Sequence, residues 1–484
     1  MQKQIEFYEP NQLEKKIKRT KIVTTIGPST NTKDAIRKLF ENGMNVVRLN
    51  FSHGSQEEHE AKIKMVLDLR KEEQKPISIL LDTKGPEIRV GKMKDGKQEI
   101  KAGSDIRIYT LEEEYKNREC DTNEMTVSYD MSVDLKSGDT ILVDDGKLTM
   151  HVVNVEPGIV SCKAFNHHIV KTNKRINLPG VDFSLPFLSD KDVSDIRFGA
   201  KNQIDYIAAS FVNTAQNVKD IRQILKEEKK EHIQIISKIE SKIGIFNIDE
   251  IVDESDGIMV ARGDLGLEIP YYEVPHWEKE IIRKCREKGK ICIVATQMLE
   301  SMTDNPQPTR AEVTDVYYAT ELGADATMLS GESAAGIYPY ITTHTMATIN
   351  KRAELNFYGK IYYDRALEMA RNSTSGKRAE IADELANITR NGKYEYAVVL
   401  SRSGELLKTI SKFRPNVTIL GVIEDEKLWN AFGCWHSIFM NKVDKVDDVI
   451  NKPELAAEIA RLWGAKKGEE ILIVKSEDII KHIV

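Results

Sequence analysis

The sequence predicts an α/β protein: a (β/α)8 barrel, interrupted by a β-rich insert and followed by a smaller α/β domain. Three observations predict it. Short β-branched runs alternate with amphipathic helical stretches, and these runs total about eight, the number that closes such a barrel. Between Arg89 and Leu185 the rhythm changes to short alternating runs, punctuated by turn pairs such as Asp95-Gly96, Asp145-Gly146 and Pro179-Gly180. Nearly every strand of the first rhythm ends in polar or charged residues, where a barrel of this kind keeps its chemistry.

Taken in order, residues 1–19 are polar and read as a short helical extension. Lys21–Gly27, Val46–Ser52 and Ile77–Asp82 read as the first three strands. Between them lie an amphipathic stretch stopping at Gly43 and a helix opened by the capping-box pattern Ser55 to Glu58. After the insert, strands are expected at 205–211, 232–239, 257–261, 291–296 and 326–329, with a second capping box at Thr309–Glu312. Beyond Asn356, Tyr396–Leu400, Val417–Val422 and Glu470–Val474 are strand-like, which suggests an open sheet. The expected domains are 20–87 with 187–356 for the barrel, 88–186 for the insert and 357–484 for the last unit.

Composition narrows the function. A chain of 484 residues is long for one domain, and 40% hydrophobic content supplies real cores. A net charge of −6 argues against general nucleic-acid binding. The five cysteines include no CxxC pair, as in a reducing compartment. The start has no apolar signal core and no run reaches membrane-spanning length, so a soluble cytoplasmic protein is the expectation.

The stretch Gln234–Gly266 carries the densest chemistry. Lys238 and Glu240 are two apart, so on a strand they face one way. Asp264 follows the next strand between Gly263 and Gly266. A lysine beside two carboxylates suits a divalent cation next to a phosphate. A salt-bridge cluster at a sheet end fits the same spacing equally well. Arg48, Asn50 and Ser52 also alternate, placing a guanidinium among short oxygen ligands. His53, taken alone, reads first as structural. The third strand ends Asp82-Thr83-Lys84-Gly85, the seventh Ala295-Thr296-Gln297 and the eighth Leu329-Ser330-Gly331-Glu332. Neither GxxxxGK[ST] nor a post-strand GxGxxG occurs, so a bound nucleotide is held by side chains and metals.

Residues 20–356 closely resemble pyruvate kinase. The runs TKIVTTIGPST, VVRLNFSHG, LDTKGPEIRVG, NLPG, ISKIES, VARGDLGLEIP, ATQMLESM, RAEVTDV and MLSGES stand in that family's order and spacing. Beyond Asn356 the likeness is weaker. The resemblance implies a (β/α)8 TIM barrel with an inserted small β-barrel lid domain and a C-terminal α/β domain that is regulatory or packs subunits. It implies transfer of a phosphoryl group from phosphoenolpyruvate to ADP, giving pyruvate and ATP, the last step of glycolysis. Mg2+ (or Mn2+) and K+ are the implied cofactors, and a homotetramer without nucleic-acid or membrane partners is the implied assembly.

By motif, Glu240 and Asp264 would hold Mg2+, and Lys238 would stabilise the transferring group. Asn50, Ser52, Asp82 and Thr83 would hold K+. Arg48 would grip the phosphate, and Gly263, Asp264 and Thr296 the substrate carboxylate and enolate. Arg89 and Lys174 would contact nucleotide, with His53 nearby. Ser330 and Glu332 would lie by the reprotonation route, so that Lys238, Thr296, Arg48 and Ser330 form the catalytic set. In that family, glutamate at the position of Glu87 goes with K+ dependence. Three residues depart from its pattern: Asn213 where a basic residue is usual, Arg175 where glycine is usual, and Ala335 where lysine is usual. An alternative reading is a catalytically impaired relative kept as a binding or scaffold protein. In the last domain, Ser401 and Ser403 form half of an effector loop. Leu406 replaces an expected hydroxyl and the chain end lacks a Gly-rich loop, so the expectation is little response to fructose 1,6-bisphosphate.

Overall fold

A computed structural model describes residues 13–182, 184–358 and 361–484. The first twelve residues of the expected helical extension therefore lie outside the described ones. Eight parallel strands close a barrel: β1 (Lys21–Thr25), β2 (Val46–Asn50), β3 (Ser78–Asp82), β4 (Tyr206–Ala209), β5 (Gln234–Ile239), β6 (Gly257–Ala261), β7 (Ile291–Ala295) and β8 (Ala326–Leu329). They neighbour one another in chain order, with β8 returning to β1. Alternation sorts their side chains into two cores. Ile22, Val47, Ile79, Ile207, Ile235 and Ile258 face the outer helices, whereas Val23, Val46, Leu80, Ala208, Ile236 and Met259 fill the interior.

Both expected capping boxes form. Ser55 with Glu58 opens the helix Gln56–Glu73, and Thr309 with Glu312 opens Arg310–Leu322. Each satisfies two amide hydrogens that a helix start leaves free. The strands stop one or two residues short of their expected carboxyl ends at β1, β2, β4 and β7. At β4 and β7 the cause is backbone: Phe211 (φ 56°), Thr296 (φ 70°) and Gln297 (φ 54°) turn left-handed and end the ladder.

The insert leaves the barrel after β3 and returns before the helix Asp190–Lys201. It holds a seven-stranded sheet whose edge strands are Ile88–Arg89 and Glu124–Thr126. The expected small β-barrel takes the form of this sheet with its edges joined just beyond the strands by the bridge Val90–Val127. Its core, including Ile106, Ile108, Val143, Leu148 and Val160, is its own. Both crossings to the barrel run side by side, since Ile88–Arg89 pairs antiparallel with Arg175–Asn177. Gly85 marks the exit at φ +69°; a Cβ there would sit 2.7 Å from the Cβ of Ser210, so the close approach requires glycine.

The last domain is a five-stranded sheet in the order β11 (Ile438–Lys442), β10 (Thr418–Ile423), β9 (Tyr396–Leu400), β12 (Glu470–Val474), β13 (Ile479–Ile483), parallel except for the β12–β13 hairpin. It docks on the amino ends of the barrel strands. Lys21 Nζ donates to Ile438 O (2.6 Å), Tyr206 OH to Ala431 O (2.6 Å) and Ser78 Oγ to Asn430 O (2.5 Å). The opposite end of the barrel is left to the insert and to the site.

Candidate active site

The site is built from strand ends. Arg48, third in β2, donates from Nε to Asp82 Oδ2 at the end of β3 (2.7 Å) and from Nη1 to Thr25 Oγ1 (2.8 Å). Lys238, in β5, donates to the other Asp82 oxygen (3.0 Å) and to Ser210 Oγ (2.8 Å), and lies 3.1 Å from Glu240 Oε1. The two-residue spacing has put Lys238 and Glu240 on one face, as the strand period requires. Glu240 Oε2 accepts the amide of Phe211 (2.7 Å), so the left-handed turn at Phe211 aims a backbone donor at this carboxylate.

All four of these charged side chains are at most 11% exposed. Burial works against the Lys238 ammonium, but Asp82 and Glu240 more than offset it and hold its pKa above the ordinary lysine value. Burial raises Asp82 too, yet Arg48 and Lys238 outweigh it and keep the group below the usual carboxylate range. Glu240 goes the other way. Burial pushes it up to about 7 against the pull of Lys238, and Asp264 adds to the rise.

Arg48, Asn50, Ser52, His53 and Asp82 face a cavity of about 200 Å³ together with Arg89, Lys238, Glu240 and Asp264. Nine of the expected site residues therefore share one space. Gly263, Thr296, Thr83, Lys174 and Ser330 stand outside its lining. Thr296 Oγ1 accepts the Gly263 amide (2.7 Å) and donates to Ala295 O (2.6 Å), fixing the loop after β6 against the end of β7. Thr83 Oγ1 accepts the Ser210 amide (3.0 Å). Lys174 turns into the insert and pairs with Asp144 (2.7 Å). Ser330 Oγ is buried without a hydrogen-bond partner, while its amide donates to Glu332 Oε2 (2.7 Å). Ser401 and Ser403 belong to the last domain, after β9.

Lys84, Phe211, Ser210 and Arg175 also line the cavity without having been expected as members of the site, and the last two make its cross-strand contacts. Ser210, just past β4, gives Lys238 its hydroxyl contact. Arg175, noted only as a departure from a pattern, enters the cavity and pairs with Asp264 Oδ1 at 2.5 Å. The polar end of β4 was the available signal for Ser210. Nothing local signals Arg175, which meets its partner across the domain boundary.

Two carboxylates, Glu240 and Asp264, thus face one cavity beside a buried lysine. Hard anionic oxygens of this kind suit Mg2+ or Mn2+ whose other ligands are substrate oxygens and water. Among the described residues no three His, Cys, Asp or Glu side chains converge as a closed metal cage. A bound divalent cation would offset the burial and the neighbouring Asp264 charge that raise Glu240.

Fixed cations, a pair of metal-ready carboxylates and an inserted domain over the strand ends define a phosphotransferase built on a (β/α)8 barrel. The comparisons narrow this class. Residues 17–343 match the family model described as pyruvate kinase, barrel domain. The chain is 41% identical to the pyruvate kinase of Mycoplasma pneumoniae, covering 90% of this chain and 92% of that one. It is 45% identical to the pyruvate kinase of Staphylococcus epidermidis, covering 85% and 69%. The crystal structure of a pyruvate kinase from Cryptosporidium parvum superposes with a TM-score of 0.89 at 32% identity, covering 98% and 97%. The chain belongs to the pyruvate kinase family.

Proposed function

We propose that the cavity at the barrel's strand ends is where this chain moves a phosphoryl group from phosphoenolpyruvate to ADP. The ester O–P bond of phosphoenolpyruvate breaks, a new O–P bond forms at the terminal phosphate of ADP, and the enolate takes a proton at carbon to become pyruvate. The observation that carries this reading is the crossed cluster Arg48–Asp82–Lys238–Glu240, two cations held in place by two buried carboxylates. Loose phosphoryl transfer needs positioned positive charge and little covalent work. Arg48 and Lys238 supply that charge on a rigid frame, so no reorganisation is left for the moment of transfer.

Glu240 and Asp264 would hold Mg2+ or Mn2+, which when bound supplies Lewis-acid charge to phosphoryl and enolate oxygens. Asn50, Ser52, Asp82 and Thr83 present a single carboxylate among neutral oxygens, a donor set suited to K+. Asn50 Oδ1 accepts the Ser52 amide (3.1 Å), which ties the first two together. Arg89 faces the cavity from the insert crossing and would meet the nucleotide with His53. Lys174 would have to leave Asp144 to join them. Gly263 and Thr296 would orient the substrate carboxylate, and the unpartnered hydroxyl of Ser330 would sit on the proton's route. The insert, residues 88–186, acts as a lid that excludes water. Residues 357–484 serve subunit packing in a homotetramer, and the protein works in the cytoplasm. Among the described residues no helix is long and apolar enough to cross a membrane.

The test is pyruvate formation in a coupled assay with phosphoenolpyruvate and ADP, varying Mg2+ and K+ separately. Turnover that requires all four supports the reading. Binding of both substrates without turnover would make the chain a scaffold instead.

A further inference from the structure

Arg175 opens the strand that carries the chain back out of the insert, directly opposite Arg89 in the register of the two crossings. Its amide carbonyl accepts the Asp144 amide (3.0 Å), so its backbone is fixed within the insert. Its side chain reaches the other way, into the barrel. One Nη donates to Asp264 Oδ1 at 2.5 Å, and the guanidinium lies 5.0 Å from the centre of the Phe211 ring. The side chain is 17% exposed and that of Asp264 24%. Burial disfavours the guanidinium charge, but Asp264, Glu240 and Glu87 together overcome it, Asp264 first. Arg48 and Lys238 pair with Asp82 and Glu240, and Arg89 pairs with Glu87, so the cation that pairs with Asp264 is Arg175.

Those carboxylates include the two that the proposed reaction assigns to the divalent ion. We infer that Arg175 is a built-in competitor for the divalent metal: its guanidinium neutralises Asp264 and, by the same contact, clasps the root of the insert to the barrel. The inference rests on the proposed function for the identity of the metal ligands. A cation arriving at Asp264 must displace a hydrogen-bonded guanidinium, so Arg175 lowers metal affinity and sets the concentration at which the site loads. Losing the clasp frees the crossing strands at the same moment. A lysine at this position would keep the charge but not the planar, multi-donor contact with the carboxylate and the ring.

Mn2+ binding to the purified full-length protein, read from the electron paramagnetic resonance of the free ion without substrates, tests this directly. In R175Q the Kd for Mn2+ should fall roughly tenfold, the size of one charge-assisted hydrogen bond removed from the competing side. R175K should lie between R175Q and the parent. In a D264N background, where the shared carboxylate is gone, R175Q should change the Kd little. Amide exchange of residues 86–91 and 174–180 in metal-free protein should be faster in R175Q than in the parent. An unchanged or weaker Mn2+ affinity in both R175Q and R175K overturns the inference, as does equal tightening in the D264N background. If R175Q does not fold, R175K decides: its Mn2+ affinity and its amide exchange over the same residues are compared with the parent, and no change in either overturns the inference. Pyruvate formation by the parent is measured separately. Turnover with an unmoved Mn2+ affinity sinks this inference alone, whereas tightening without parental turnover sinks the proposed reaction alone.

Discussion

At the carboxyl ends of the barrel strands, charges are buried and cross-linked between strands. In the loop after β9, they are left in water. The side chains of Arg48, Asp82, Lys238 and Glu240 are at most 11% exposed and each touches at least one of the others. The side chains of Arg402 and Asp447 also pair, yet are 68% and 58% exposed, and Lys408 with Glu405 is similar. Exposed pairs of the second kind contribute little, commonly about 0–1 kcal/mol. Buried clusters of the first kind carry a desolvation penalty that well-packed apolar residues would avoid. The difference separates a region shaped for chemistry from one shaped for solubility and packing.

The sharpest way to break that comparison is to remove the central cation. Lys238→Met should lower kcat by roughly 10²-fold or more and leave the KM for phosphoenolpyruvate nearly unchanged, because the charge acts mainly on the transferring group. Steady-state kinetics check it; near-normal kcat would show the cluster to be structural. Next in size are Glu240→Gln and Asp264→Asn, each of which removes an anionic oxygen from a hard-cation site. Each should raise the Mg2+ concentration for half-activity by about tenfold or more, a shift worth at least 1.4 kcal/mol. If neither moves the Mg2+ titration, the metal is held elsewhere.

A smaller effect sharpens the boundary between barrel and insert. Glu268, at the end of the helix Arg262–Glu268, accepts the Gly180 amide (3.3 Å), and burial pushes its pKa up to about 7. A carboxyl raised in the folded state favours folding when protonated. Its contribution is complete below about 4.5 and is lost as pH rises towards 7, then stays constant. Glu268→Gln should therefore stabilise the protein by about 1 kcal/mol at pH 8 and by almost nothing at pH 4.5. Urea unfolding midpoints at the two pH values measure this, and an equal gain at both would locate the effect outside the ionisation.

How much of this was open to sequence reading follows from where each signal lives. The barrel strands were legible because each is a short β-branched run bounded by polar residues, and Lys238 with Glu240 because a strand's period is local. The capping boxes at Ser55 and Thr309 are local in the same way. β11 and β13 were missed. β11 follows a Gly-Cys-Trp-His turn rather than a clear breaker, and β13 is a half-exposed edge strand whose pattern, Ile-Ile-Lys-His-Ile, lacks alternation. Ser210 and Arg175 were out of reach for another reason. Their partners, Lys238 and Asp264, lie 28 and 89 positions away, and only barrel closure and the return of the insert bring them together. The left-handed turns at Phe211 and Thr296, which aim an amide and fix a loop, leave no trace in residues that ordinarily avoid positive φ.

The least effect is expected where charge stays in water. Ser401 Oγ accepts the Gly404 amide (3.0 Å), and Ser403 Oγ lies 3.5 Å from the Glu405 amide. Both hydroxyls are thus engaged in the start of the helix Glu405–Phe413. Arg402, between the two serines in sequence, is paired with Asp447, and Lys408 is paired with Glu405. Leu406 points into the core and has no donor to offer. The chain end closes the sheet as the hairpin β12–β13 instead of forming a glycine-rich loop over the serines. A bisphosphate would find one helix start whose adjoining cations, Arg402 and Lys408, are already paired, and each missing charge-assisted hydrogen bond forfeits about 1.5–3 kcal/mol. Millimolar fructose 1,6-bisphosphate should therefore shift the half-saturating phosphoenolpyruvate concentration by less than about twofold, under the 1.4 kcal/mol that a tenfold change requires. Any sugar monophosphate that does activate should lose its effect in the double variant Ser401→Ala/Ser403→Ala. A strong leftward shift by the bisphosphate that survives in the double variant would overturn both the weakness of the site and its placement at this loop.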